Sequence, residues 1–257
     1  MDNTENVKFE EWQLISSMDN TLQPALFHRA ASAEKRPLLV GLHTWSYDRY
    51  NQRDNLLPVA EKYDFHLLLP EFRGPNLVSN PDRLKACGSE FVVRDIIDTI
   101  EYAKTQCAVD QSNIFLLGAS GGGQAALLTA AFYPEIFKAV GAFVPVCDLK
   151  KWSEYSEYYG KQVRACCGDS EEEMQKRSPC NYAAQLTKVN LKIFHGKYDR
   201  VVPVEQSIKL YFKMMEIDPK SRTFFEIFDG GHEMNVDSAI AWFLSQYNKK
   251  ELTNVTG

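Results

Sequence analysis

The chain has 257 residues, 44% hydrophobic and 25% charged, with 29 Lys and Arg against 34 Asp and Glu for a net charge of −5. This is ordinary globular usage and argues against disorder, and with no basic block to neutralise a phosphate backbone, nucleic acid is excluded as a partner. The longest apolar stretches, such as VGAFVPVC at residues 140–147, fall far short of the roughly 18 residues a spanning helix needs, which excludes a membrane partner.

The start, MDNTENVKFEEW, is acidic and polar and lacks the basic n-region and apolar core of a secretory signal, so a cytoplasmic location is expected unless a leader has been trimmed. FEEWQLIS and LQPALFHRA read as extended stretches joined by a hairpin turn around Met18, Asp19 and Asn20. The pattern then changes. RPLLVGLH, FHLLLP, IFLLGA, KAVGAFVPV, LKIFHG and TFFEIFD are continuous apolar runs of strand length, as strands buried on both faces of a parallel sheet require.

Helices are legible between the runs. Ser89 caps a helix reaching residue 106, with Val92, Ile96, Ile97 and Ile100 on the face meant for the sheet. QAALLTAAF is apolar nearly all round, and VEQSIKLYFKMME and DSAIAWFLSQYNKK carry one-sided stripes. Strands alternating with helices predict an α/β fold: a mostly parallel central sheet with helices on both faces and an antiparallel N-terminal hairpin. With no repeat and no interdomain linker, residues 1–257 read as one domain. Residues 148–186, rich in Tyr, Trp and charge, interrupt the alternation, and are expected to form either a lid or pocket wall or a decorated crossover.

Six cysteines (Cys87, Cys107, Cys147, Cys166, Cys167, Cys180) lack metal-ligand spacing and read as reduced thiols in packing roles. The sequon at Asn254 matters only in a secreted protein. No metal or other cofactor is expected.

The stretch Gly118-Ala119-Ser120-Gly121-Gly122 has G-x-S-x-G spacing after a strand and before a helix. A serine on such a sharp turn needs small neighbours two residues away on either side. The same glycines also fit the dinucleotide pattern G-x-G-x-x-A from Gly121 to Ala126, but that fingerprint usually lies in the first βαβ unit and this one is mid-chain. A nucleophilic serine needs a base and an acid that orients it, each beyond a later strand. Asp199 in GKYDRVVP and His232 in DGGHEM supply them in the order Ser120, Asp199, His232. His28, His43, His66 and His195 rank lower, as strand or strand-end residues. The oxyanion would meet the N–H of Gly121 and a second donor from the loop at Thr44 and Trp45.

The stretches LLVGLHTWSYD, PEFRGPN, LLGASGGGQAALLTAAFYPEIFKAVGAFVPVCDL, RSPCNYAAQL and LKIFHGKYDRVVPVEQSIKLYFKM together resemble the α/β-hydrolase catalytic domain of prolyl-oligopeptidase-type serine hydrolases, over about residues 37–248. The resemblance implies Ser120 as nucleophile, Asp199 as orienting acid and His232 as base. It departs where Thr44 replaces the first glycine of the usual His-Gly-Gly, and where about 36 residues precede the first parallel strand, too few for the propeller of the family peptidases. It therefore points to a compact, esterase-like member.

The expected function is hydrolysis of ester bonds, acetyl or other carbohydrate esters among them, through an acyl-enzyme on Ser120. A small peptidase or amidase is the first rival, and a non-catalytic binding protein on the same fold the second. Arg73, Tyr47 and Trp152 are candidate substrate contacts, with Trp45 and Tyr155 completing an aromatic wall. The expected partners are a small ester or short peptide, with a homodimer left open.

Overall fold

The computed structural model describes residues 8–247; the first seven residues, part of the stretch read for a leader, and the sequon at Asn254 lie outside the described residues. The hairpin is β1 (Glu10–Ile15) and β2 (Leu22–His28), followed by β3 (Arg36–Leu42), β4 (His66–Pro70), β5 (Val109–Ala119), β6 (Ala139–Phe143), β7 (Leu191–Gly196) and β8 (Thr223–Phe228). They form one sheet in the order β1-β2-β4-β3-β5-β6-β7-β8. The hairpin is antiparallel and joins β4 antiparallel, and the neighbours from β4 to β8 pair in parallel.

Helices cover both faces, which is why the inner strands are apolar without alternation. On one side lie α1 (Arg53–Tyr63) and α9 (Val236–Gln246), whose Leu56, Ala60, Ile240 and Phe243 pack with Leu39, Leu67 and Phe115. On the other lie α2 (Glu90–Gln106), α3 (Gly121–Phe132) and α8 (Glu205–Ile217), meeting Leu38, Val40, Leu116 and Ile193. The Ser89 side chain caps α2 by accepting from Val92 N–H. Helix α1 was not legible in sequence for a physical reason: it buries only Leu56 and Ala60 and carries Pro58 in its interior, so neither stripe nor propensity announces it.

Residues 148–186 contain α4 (Leu149–Tyr155), α5 (Glu157–Cys167), α6 (Glu171–Lys176) and α7 (Ala183–Leu186). Trp152, Val163, Cys166, Cys167 and Met174 pack with Trp45, Val146 and Val202 in a small third core. The segment is thus built down onto the loops that follow β3, β6 and β7. All six cysteines are free. Among the described residues no helix is long and apolar enough to cross a membrane.

Arg73 corrects one expectation. Its side chain is wholly enclosed, with Nε donating to Asp95, Nη1 to Asp19 (2.8 Å) and Nη2 to Ser16 Oγ (2.8 Å). These bonds join the β1–β2 turn, the loop after β4 and the first half of α2, leaving nothing to present to a substrate. Arg73→Ala leaves the buried Asp95 unpaired and is expected to lower unfolding free energy by about 3–5 kcal/mol in urea titrations. The KM of the protein that remains folded should be unchanged; a raised KM with wild-type stability would restore the substrate role.

Candidate active site

Ser120 stands between β5 and α3 with φ 57° and ψ −119°, a conformation that costs a non-glycine residue about 1–3 kcal/mol and is held only by its surroundings. Its N–H donates to Phe143 O (2.9 Å), and its carbonyl accepts from Gln124 N–H (3.0 Å). The flanking glycines allow the turn to close. A Cβ on Gly118 would stand 2.2 Å from Gly122 O, and one on Gly122 would stand 2.5 Å from His43 O. The spacing read in the sequence is therefore a steric requirement between β3, β5 and α3.

The pairing of Gly196 with Phe228 sets the loops after β7 and β8 side by side. Asp199 is on the first loop and His232 on the second, with His232 Nδ1 2.7 Å from Asp199 Oδ2. A carboxylate only accepts here, so Nδ1 carries the proton and Nε2 of the neutral ring is left as a base. Asp199 Oδ1 accepts from the N–H groups of Val201 (2.8 Å) and Val202 (2.9 Å). Burial works to raise the Asp199 pKa, but hydrogen bonds from His195 and His232, the His232 charge and the Val202 N–H outweigh it and hold the carboxyl well below the usual carboxylate range. Its side chain is 0% exposed against 23% for His232, so the acid is fixed and the base faces the cavity.

Ser120 and His232 line one cavity of about 230 Å³ with Thr44, Asn55, Val144 and Met234. It shares Asn55, Glu233, Met234 and Val236 with a wider groove of about 600 Å³ between α1 and the His232 loop. No hydrogen bond joins Ser120 Oγ to His232, a separation that active sites commonly close on binding substrate.

Thr44 and Trp45 separate in role. The Thr44 N–H donates to Asn51 Oδ1 (3.0 Å), so the expectation that it serves an oxyanion is corrected. The backbone N of Trp45 lies 3.0 Å from where a Gly121 Cβ would stand, and neither the Trp45 N–H nor the Gly121 N–H has an acceptor among the described residues. Trp152 is corrected too: it is fully buried, and its Nε1 donates to Val201 O (2.8 Å) beneath the site. Tyr47 and Tyr155 are exposed, and neither lines the Ser120 cavity. Asn51 and His195 were missed. His195 Nε2, in β7, is 3.4 Å from Asp199 Oδ2 in the loop beyond it, a contact made by the turn of the chain that no local spacing announced; Asn51 had no signal either.

The model of the prolyl oligopeptidase family matches residues 84–248. Acylamino-acid-releasing enzyme 1 from Oryza sativa subsp. japonica is 23% identical over 227 residues, 80% of this chain and 29% of that protein. The acylaminoacyl peptidase of Pyrococcus horikoshii superposes with a TM-score of 0.75 at 17% identity, over 97% of this chain and 44% of that one. FphF, a fluorophosphonate-binding serine hydrolase of Staphylococcus aureus, superposes with a TM-score of 0.74 at 14% identity, over 94% of this chain and 98% of that one. The chain spans less than a third of the curated relative and less than half of the archaeal peptidase. The structural likenesses show the α/β-hydrolase fold.

The depressed Asp199 carboxyl has a consequence for stability. A group whose folded pKa lies below its unfolded value stabilises the fold above the unfolded value and loses that contribution as pH falls through the folded one. The stability difference between wild type and Asp199→Asn should be constant near neutrality and shrink as pH drops below about 4. Urea unfolding at a series of pH values measures it; a difference that does not shrink in acid refutes the assignment.

Proposed function

Since the chain belongs to the prolyl oligopeptidase family, and so to the serine hydrolases, we propose that it hydrolyses small acyl esters through an acyl-enzyme on Ser120. The observation that carries this reading is the Asp199–His232 pair opening onto the cavity that holds Ser120. Ser120 Oγ attacks the acyl carbonyl as His232 Nε2 takes its proton, and Asp199 stabilises the imidazolium that forms. The developing oxyanion lies between the N–H groups of Gly121 and Trp45. His232 returns the proton to the leaving alkoxide, then activates the water that releases the acid.

The cavity of about 230 Å³ suits a short acyl chain, and the adjoining groove gives room for the rest of the substrate. A second reading, cleavage of an acylated amino acid or short peptide, is favoured by the names of the rice and archaeal relatives. In either, the chain acts as one hydrolase domain, with residues 148–186 bracing the loops that follow β3, β6 and β7.

Ser120→Ala and His232→Ala should each cut turnover of p-nitrophenyl acetate by at least about 10³-fold and leave the thermal midpoint near wild type. Fluorophosphonate should label the wild type and not Ser120→Ala. Absence of labelling in folded wild type refutes the mechanism. On a matched ester and anilide with the same acyl group, faster anilide turnover selects the peptidase reading.

A further inference from the structure

We propose that His43 is a positioning residue that aims the oxyanion donor by fixing the peptide unit between Thr44 and Trp45, an inference that rests on the reading of Ser120 as nucleophile. Three successive peptide units of this loop are anchored by three different groups. Between His43 and Thr44, the N–H donates to Asn51 Oδ1 at 3.0 Å. Between Trp45 and Ser46, the carbonyl accepts from Asn76 N–H at 2.8 Å. Between Thr44 and Trp45, the carbonyl lies 2.9 Å from His43 Nδ1, with a longer contact of 3.4 Å from Tyr47 N–H.

A planar trans peptide points its C=O and N–H in opposite directions. Holding the Thr44 carbonyl on the His43 side therefore turns the Trp45 N–H away from the ring, and Trp45 N abuts Gly121, the residue after the nucleophile. A hydrogen bond on the carbonyl also polarises the peptide and strengthens its N–H as a donor. Carbonyl oxygens only accept, and the ring meets one at each nitrogen, Thr44 O at Nδ1 and Glu71 O at Nε2; a neutral ring donates to only one of them, and the proposal is that Nδ1 carries a proton.

The ring is itself immobilised. It is 2% exposed, its Nε2 lies 2.8 Å from Glu71 O, and its face stacks on Phe72 with centroids 3.9 Å apart and planes 8° from parallel. Glu71 is fixed in turn, its carboxylate accepting from the N–H and Nη1 of Arg49, each at 3.1 Å. A plain core histidine would serve stability through both ring nitrogens alike. A positioning role lies in Nδ1 alone.

The two nitrogens can be separated by substitution. His43→Asn places an amide nitrogen near the former Nδ1 and keeps the bond to Thr44; His43→Gln reaches the Nε2 position and keeps the bond to Glu71. With p-nitrophenyl acetate, His43→Gln should lose about 10²–10³-fold in kcat, the size of effect seen when one oxyanion donor is lost. Its KM should stay within about threefold of wild type, as befits an interaction made only in the transition state. His43→Asn should keep kcat within about tenfold at a similar thermal midpoint. Equal kcat losses in the two variants, a loss confined to KM, or losses that follow the thermal midpoint overturn the proposal. Nitrogen-15 NMR of histidine-labelled wild type needs no variant to fold: a protonated His43 Nδ1 supports the proposal and a bare one overturns it. Wild type lacking Ser120-dependent turnover would overturn the parent reading and this one with it, whereas Ser120-dependent turnover indifferent to Asn or Gln at position 43 overturns this one alone.

Discussion

The backbone of Ser120, held at φ 57°, is the constraint on which the site depends. Such strain persists only where the surroundings over-determine it, and here it is clamped from β6 through Phe143 O and from α3 through Gln124 N–H. The sheet register brings Leu42 opposite Gly118 and Phe143 opposite Ala119, so the C-terminal ends of β3, β5 and β6 finish level. The close approach that forbids a side chain on Gly122 is to the carbonyl of His43, and the one at Gly121 is to the backbone of Trp45. Nucleophile turn and oxyanion loop are thus a single packing contact, and neither can shift without the other.

The acid and base divide rigidity between them. Asp199 is closed off from water and held by two backbone N–H groups, His232 and the nearby His195. A buried carboxylate is tolerable only with such partners, and the same bonds keep it ionised. His232 sits on the irregular loop between β8 and α9, with only its Nδ1 tied down. That one hydrogen bond fixes the tautomer and leaves Nε2 without a protein partner among the described residues.

What the sequence made legible follows from the range of the interactions involved. The inner strands were readable because burial on both faces leaves a continuous apolar run, and Ser120, Asp199 and His232 because each follows such a run in order. Arg73 was misread because its partners, Asp95 and Asp19, are 22 and 54 residues away, and no local pattern announces a network that closes only in three dimensions. Trp152 was misread for the same reason: its burial depends on Trp45 and Val201 from other loops. Thr44 and Trp45 could not be told apart because the choice rests on Asn51, a side chain in the approach to α1, the helix that left no stripe.

The residues that remain free to vary are therefore those the chemistry leaves unconstrained. Gly118, Gly122 and the buried carboxylate of Asp199 are dictated by close contacts, and a change at any of them disturbs the turn at Ser120 or the Asp199–His232 pair. Glu233 and Met234 line the cavity from the loop that carries His232, and neither is held by the close contacts that fix the turn at Ser120. A fold shared with an archaeal peptidase and a staphylococcal hydrolase is accordingly silent on substrate. What the site itself offers is the rim between α1 and the His232 loop, through which the cavity at Ser120 widens into the groove.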